Sequence, residues 1–218
     1  MRRKSIMRVV FVCGLVCLFA ATAGAGERFG PRIPTAYFAT TGVGQSDDGI
    51  PPDPYETFSY DLALLEAGIE NFNVVYYTSV LPPESHEVPL ESVKPFIHHG
   101  SVLETIMAKA GGEAGDTVCA GVGRVWAKDS SGAIIGGFAA EYERVYSKQT
   151  VSRDVAHAEA KAQLMKSLNH ELSIRNLTAA KGMKFDITSL QITKKYGMAL
   201  SALGFVGFIY PDEFPLKK

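Results

Sequence analysis

Two stretches of the chain repeat apolar residues every three or four positions, which is the period of an amphipathic helix. The first begins near Glu56 and ends at Gly68, a residue suited to the left-handed position that closes a helix. The second runs from Ser152, a good N-cap residue, to about Ala179. The faces expected to be buried are Phe58, Leu62, Leu65 and Ile69 in the first helix, and Val155, Ala158, Ala162, Met165, Leu168 and Leu172 in the second.

Runs of β-branched and aromatic residues, bounded by glycine, proline and polar turn residues, predict seven strands. These strands span residues 34–41, 73–80, 101–109, 118–127, 134–146, 185–193 and 198–208. The glycine-rich and polar segment 42–49 is expected to form a turn. Strands that are mostly linked as hairpins and interrupted by two helices predict a single α+β domain built as a sandwich.

The first 25 residues have the pattern of a secretory signal peptide. A basic start precedes an apolar run at 9–20, and small residues follow at Ala23 and Ala25, or at Ala21 and Ala23, as a cleavage site requires. The apolar run is short for a membrane-spanning helix, which needs about 20 residues. We therefore expect residues 1–25 to be an export leader and 26–218 to be the mature domain. The alternative is a cytosolic protein whose true start codon lies further downstream.

Composition and charge narrow the classes of function. The chain has 218 residues, 46% of them hydrophobic, with 22 basic and 23 acidic residues, so it lacks the basic excess of a nucleic-acid-binding protein. Removing the leader leaves 18 basic residues against 23 acidic ones, a net charge of −5 that favours a cationic ligand. Cys119 is then the only cysteine, and we expect it to be a buried, inert thiol.

Common cofactor motifs are missing from the sequence. Neither GxxxxGK[ST] nor GxGxxG precedes a predicted helix, so no nucleotide site is indicated. No pair of histidines has the spacing of HxxxH or HExxH, and we expect no metal site. The five histidines are His86, His98, His99, His157 and His170.

An unusual segment follows the second predicted strand. Thr78 and Ser79 lie at the end of this strand, and Pro82-Pro83 stiffens the chain three residues later. A strand end ahead of a double proline could hold a strained peptide for chemistry at the serine. The alternative is an ordinary turn stiffened by proline.

Several sequence blocks around this segment follow one another in a specific order. They are Ile33-Pro34-Thr35-x-x-Phe38, Gly44-Gln45-Ser46-Asp47, DLALLEAGI at 61–69, NFNVV at 71–75, TSVLP at 78–82, GGFAAEY at 136–142, KKYG at 194–197 and ALGF at 202–205. In these blocks, from about Ile33 to Phe208, the chain resembles the pyruvoyl-dependent arginine decarboxylases. The insertion at 48–58 resembles the chlamydial-type branch of that family, which lacks the leader.

The resemblance implies that the chain is made as a proenzyme that cuts itself. The hydroxyl of Ser79 would attack the carbonyl of Thr78, leaving a β chain that ends at Thr78 and an α chain of residues 79–218 that begins with a pyruvoyl group. Asn73 matches an asparagine implicated in this processing. The pyruvoyl carbonyl would condense with the α-amine of the substrate and take up the electrons released as CO₂ leaves.

The resemblance also assigns residues to the substrate site. Glu141 matches the family's proton donor, and Asp61 matches the carboxylate that faces the substrate guanidinium, a pairing that suits arginine's planar fork. Ser46 and Asp47 are expected to line the same pocket. The implied fold is an αββα sandwich of two mostly antiparallel sheets flanked by helices. The implied assembly is a homotrimer of αβ units with active sites at subunit interfaces.

The expected function is therefore conversion of L-arginine to agmatine and CO₂, with acid resistance and arginine catabolism as physiological uses. Two alternatives remain open at this point. One is a pyruvoyl decarboxylase for another amino acid, such as histidine or a short diamino acid. The other is an uncleaved, exported binding protein of the same fold.

Overall fold

The computed structural model describes residues 31–210. Its two longer helices are α1 at Phe58–Ala67 and α3 at Arg153–Ser173, and a short helix α2 at Leu90–Val93 continues into a 3-10 turn at Lys94–Phe96. The strands of the described residues are β1 (Ile33–Ser46), β2 (Asn73–Tyr76), β3 (Val80–Leu81), β4 (His86–Glu87), β5 (Val102–Glu113), β6 (Thr117–Lys128), β7 (Ile134–Tyr146), β8 (Thr178–Ala179), β9 (Lys184–Gln191) and β10 (Tyr196–Ile209).

These strands form two sheets that pack face to face. The strand order of the first sheet is β2-β5-β10-β1-β4; the second is β3-β7-β6, with β8 and β9 both paired to β6. The β1–β4 and β2–β5 pairs are parallel, and the other described pairs are antiparallel. Helix α1 packs on the outer face of the first sheet and α3 on that of the second. The predicted αββα sandwich is confirmed.

Alternate residues of the long strands close the space between the sheets. The main contributors from β5, β6 and β10 are Ile106, Ala108, Ala110, Val118, Ala120, Val122, Ala199, Leu203 and Phe205. Cys119 points to the opposite face of β6, where it is buried with Ala156 and Ala160 of α3. Burial raises the pKa of the Cys119 thiol to about 11, so this thiol is protonated at neutral pH, as expected for an inert cysteine.

Strand β1 extends to Ser46 because α1 packs directly on its backbone. The predicted turn at 42–49 is therefore wrong for its first five residues. A Cβ atom on Gly42 would lie 2.1 Å from the carbonyl oxygen of Ala63, and one on Gly44 would lie 2.2 Å from that of Ser59. These glycines allow a helix to approach a strand closely, so their presence does not mark a turn.

The same close approach selects the buried face of α1, and the predicted face is largely wrong. Small residues Ser59, Ala63 and Ala67 face the sheet together with Leu64. Of the residues expected to be buried, Phe58, Leu62 and Leu65 are 39%, 42% and 57% exposed, and only Ile69, just beyond the helix, is fully buried.

Helix α3 also differs from its prediction, in both its face and its end. Leu168 and Leu172 are buried as predicted, together with Ala156, Ala160 and Leu164. The other four residues of the predicted face are exposed: Val155, Ala158, Ala162 and Met165. It ends at Ser173 instead of near Ala179. Asn176 adopts a φ of 54°, and the Leu177 N–H donates to the Leu172 carbonyl at 2.9 Å, which closes the helix.

The predicted strand at 73–80 is divided between the two sheets. Strand β2 ends at Tyr76 beside β5 of the first sheet, whereas β3 begins at Val80 beside β7 of the second sheet. Residues 77–79 therefore carry the chain from one sheet to the other, and we call them the crossing segment.

The predicted leader at 1–25 lies outside the described residues, so export stays a prediction. Within residues 31–210, the helices are too short or too polar to cross a membrane.

The contact between α1 and β1 can be tested with a single methyl group. We expect Gly44→Ala to lower the free energy of unfolding by about 1–3 kcal/mol, because its Cβ would overlap the backbone of α1. Gly182→Ala is the matched control, since a Cβ there meets nothing within 4 Å. Chemical denaturation measures both changes. Equal stability of the two variants would contradict the close packing.

Candidate active site

Hydrogen bonds to different sheets hold the two ends of the crossing segment. At its start, the Tyr77 N–H donates to the Thr105 carbonyl on β5 at 2.6 Å. At its end, the Ser79 carbonyl accepts from the Ala139 N–H on β7 at 2.9 Å. Thr78 lies between them and is exposed. The Thr78–Ser79 peptide is thus bounded on both sides by residues fixed to strands.

The side chain of Ser79 meets a carboxylate. Its Oγ donates to Glu141, with both carboxylate oxygens 3.1 Å away. Glu141 lies two residues after Ala139 on β7, so the two side chains point to the same face of the strand, toward the first sheet. A hydroxyl that is hydrogen-bonded to a carboxylate has a proton acceptor within reach, which is the arrangement that activates a serine nucleophile.

The environment of Glu141 favours a carboxyl group that can also hold a proton. Part of its side chain reaches solvent, yet the surrounding protein excludes enough water that burial raises its pKa. The negative charge of Glu143 acts in the same direction, whereas hydrogen bonds from the Ser79 hydroxyl and from its own backbone N–H act in the opposite one. A glutamate with a raised pKa is suited to proton transfer near neutral pH.

Glu143 is a site neighbour that sequence reasoning missed. Its Oε1 accepts from the Lys109 backbone N–H at 2.9 Å. Lys109 lies on β5 beyond the part of that strand that pairs with β2, which ends at Thr105. The sequence signal was the Glu-x-Glu spacing of Glu141 and Glu143, since alternate residues of a strand share a face. A cavity of about 230 Å³ is lined by Glu143, Lys109 and Tyr55.

Asn73 is separated from the crossing segment by the length of β2. It lies at the start of β2, about 13 Å from Tyr77 at 3.3 Å per residue. Its side-chain amide donates to the Gly100 carbonyl at 2.8 Å, which ties β2 to the loop before β5. Its role in processing stays a prediction.

The three residues predicted to bind substrate lie elsewhere on the chain. Asp61 is exposed on α1, at the outer face of the first sheet. Ser46 and Asp47 lie at the far end of β1, where the Ser46 Oγ accepts from the Asp48 N–H at 3.0 Å and an Asp47 oxygen accepts from the Lys195 N–H at 3.1 Å. The structure thus brings Ser79 and Glu141 together, whereas Asp61 and Asp47 are exposed elsewhere on the chain and Ser46 is buried.

A cavity of about 430 Å³ lies beside β4 and the end of β6, and Ser79 is not among its lining residues. Arg124 in its wall is 4% exposed and is paired with both Glu87 and Asp186. The positive charge of Arg124 in this cavity is therefore neutralised by acidic residues of the same chain. In the described part of the chain, no group of three or more histidine, cysteine or acidic residues is arranged to hold a metal ion.

Comparison with known proteins identifies the family. The family model for pyruvoyl-dependent arginine decarboxylase (PvlArgDC) matches residues 36–209. Proteins named pyruvoyl-dependent arginine decarboxylase AaxB are 44% identical in Chlamydia caviae and 46% identical in Chlamydia muridarum, each over 194 residues that cover 87% of this chain and 99% of the relative. A pyruvoyl-dependent arginine decarboxylase of Methanocella arvoryzae is 31% identical over 98 residues, 44% of this chain and 55% of the relative. The chain belongs to the pyruvoyl-dependent arginine decarboxylase family.

Proposed function

We propose that this chain cuts itself between Thr78 and Ser79 and then decarboxylates L-arginine to agmatine and CO₂. The observation that carries the proposal is the hydrogen bond from the Ser79 hydroxyl to Glu141 at the crossing segment. Family membership supports both the pyruvoyl group and the arginine substrate. A serine hydroxyl beside a proton acceptor, next to the carbonyl group of the preceding residue, is what formation of a pyruvoyl group requires of the precursor.

The cut begins with attack of Ser79 Oγ on the carbonyl carbon of Thr78. Glu141 accepts the hydroxyl proton, the peptide C–N bond breaks, and the Ser79 nitrogen gains a proton, which leaves an ester. Loss of the Ser79 Cα proton then breaks the Cβ–Oγ bond, which releases the carboxylate of Thr78 and leaves an enamine that takes up a proton at Cβ to become an imine. One water hydrolyses the remaining imine, ammonia leaves, and residue 79 becomes a pyruvoyl group.

Glu141 changes its role once Ser79 has been converted. The pyruvoyl carbonyl supplies the electron sink for the departing CO₂. Conversion removes the serine hydroxyl, whose hydrogen bond lowers the pKa of Glu141, so the pKa rises further and the carboxyl group keeps its proton more readily. Glu141 then returns a proton to the substrate α-carbon. Each turnover consumes one proton, which suits a role in acid resistance.

We further propose that Asp61, Ser46 and Asp47 complete the active site of a neighbouring copy in a homotrimer. The exposed apolar residues of α1 support this assembly, because Phe58, Leu62 and Leu65 surround Asp61 in sequence and are not used in the core of the single chain. In such an interface the Asp61 carboxylate would face the guanidinium of arginine bound at the neighbour's pyruvoyl group.

Activity of a Ser79 variant tests the proposed function. Purified wild type should release agmatine from arginine, whereas Ser79→Ala should remain uncut and release none, because it lacks the nucleophile. Thr78→Ser is the matched control and should still be cut, since it keeps the attacked carbonyl. Chromatographic detection of the amine product, with histidine and ornithine assayed in parallel, reads out both reaction and substrate. Wild type that is cut but prefers histidine or ornithine would contradict the arginine assignment.

The pH dependence of kcat tests the second role of Glu141. Glu141 must carry a proton to return it, so activity falls as pH rises through its pKa. Removing the nearby charge with Glu143→Gln lowers that pKa, and the falling limb should move to lower pH. The substituted amide keeps an oxygen that can accept from the Lys109 N–H. Glu91→Gln, an exposed change on α2, is the control and should leave the limb in place. An unmoved limb in both variants would exclude Glu141 as the proton donor.

Mixed oligomers test whether Asp61 acts on a neighbouring copy. Ser79→Ala and Asp61→Ala should each be inactive alone. When the two are coexpressed in equal amounts, about a quarter of the sites should combine an intact Ser79 with a neighbour's intact Asp61. Differential tags and amine release measure this recovery. No activity in mixed oligomers that carry both tags would show that Asp61 acts within its own chain.

A further inference from the structure

We propose that Tyr77 and Glu104 position the Thr78–Ser79 peptide for the acyl shift that begins the cut, an inference that rests on the proposed function. Tyr77 directly precedes Thr78, the residue whose carbonyl carbon is attacked. Glu104 lies on β5, 27 residues further along the chain. Both act as positioning residues, since neither touches the reacting atoms.

Three contacts fix Tyr77 against the first sheet. Its backbone N–H donates to the Thr105 carbonyl at 2.6 Å, and its ring packs on Phe205 with the ring centroids 5.3 Å apart. The third contact is a hydrogen bond from its hydroxyl to Glu104 Oε2. Backbone, ring and hydroxyl are thus all held, so the direction in which the chain leaves β2 is fixed.

The burial of Glu104 explains why it accepts a hydrogen bond from the Tyr77 hydroxyl. It is only 7% exposed and points between the sheets, where a carboxylate is costly unless its oxygens have partners. Arg32 pairs with one oxygen and the Tyr77 hydroxyl donates to the other. Arg32 is itself held over the ring of Phe208, 4.6 Å from the centroid. Releasing Tyr77 would leave a buried oxygen unpaired, which opposes its movement.

This anchor matters because the crossing segment is short. Ser79 is fixed to β7 by its carbonyl and to Glu141 by its hydroxyl, so Thr78 is a single residue between two held neighbours. The position of the Thr78 carbonyl carbon relative to Ser79 Oγ therefore depends on where Tyr77 is held. A displacement of about 1 Å between reacting groups can cost about 100-fold in rate.

The test compares two neighbouring tyrosines. Cleavage of freshly prepared precursor is followed by intact mass and denaturing gel. Tyr77→Phe, which keeps the ring, should slow cleavage by about tenfold or more. Tyr76→Phe is the matched control and should cleave at the wild-type rate, because its hydroxyl lies on the outer face of the sheet, 3.8 Å from Met107 Sδ. Equal cleavage rates for both variants would overturn the proposal.

Variants of Glu104 provide a second, graded test. Glu104→Gln keeps an acceptor for the Tyr77 hydroxyl and should retain most of the cleavage rate, whereas Glu104→Leu should be as slow as Tyr77→Phe. Unfolding midpoints measured in a Ser79→Ala background separate slow cleavage from poor folding. If Glu104→Leu does not fold, the proposal is tested by comparing the cleavage rates of Tyr77→Phe and Tyr76→Phe.

Hydroxylamine identifies the step that is slowed, because it cleaves esters and leaves ordinary peptides intact. A variant impaired in the acyl shift makes little ester, so hydroxylamine should not restore cleavage of Tyr77→Phe. Restoration to the wild-type rate would place the defect after ester formation and overturn the proposal. An uncut wild type would instead refute the proposed function itself, so the two failures are distinguishable.

Discussion

The crossing of the chain from one sheet to the other is the constraint on which the active site depends. Tyr77 is bonded to β5 of the first sheet and Ser79 to β7 of the second, with one residue between them. Each sheet is fixed by its own strands and by the shared core. Neither Tyr77 nor Ser79 can therefore shift to compensate for a movement of the other. The sandwich thereby holds a serine hydroxyl beside a carboxylate and next to the peptide it is proposed to attack.

The same architecture explains how the two fragments of a cut chain would stay together. Strand β1 belongs to the first fragment, yet it pairs with β10 of the second fragment from Ile33 to Ser46. Strand β2, which ends three residues before Ser79, remains paired with β5. The first sheet is thus built from both fragments, so its hydrogen bonds and the core beneath it do not require an intact Thr78–Ser79 bond. The new chain end at residue 79 would remain beside Glu141.

The order of the longer elements could be predicted from the sequence, because long strands such as β7 and long helices such as α3 have clear periodicity, whereas the short elements β4, α2 and β8 were missed. The crossing could not, since Val80 and Leu81 continue the apolar pattern of β2 while pairing in the other sheet. The buried face of α1 could not be predicted either, because it depends on the close approach of α1 to Gly44 in the folded chain.

For the site, the resemblance supplied Ser79 and Glu141 as separate residues, and only the fold shows their hydrogen bond across 62 positions. The anchor formed by Tyr77 and Glu104 carries no local signal, since a tyrosine in a strand and an acidic residue 27 positions later are ordinary in sequence. Asp61 is the opposite case: it was found through the resemblance, and the role proposed for it on an exposed helix requires a neighbouring copy. Residues whose roles depend on another sheet or another copy are those that periodicity cannot reveal.

The most direct test of this account is the mass of the purified protein, measured under both denaturing and native conditions. If the chain cuts itself as proposed, the denatured sample should contain two fragments divided after Thr78, the larger of them lighter than residues 79–218 by one ammonia. Under native conditions both fragments should remain in one particle, held by the shared first sheet. A single uncut chain would contradict the self-processing site, and fragments that separate under native conditions would contradict the shared sheet.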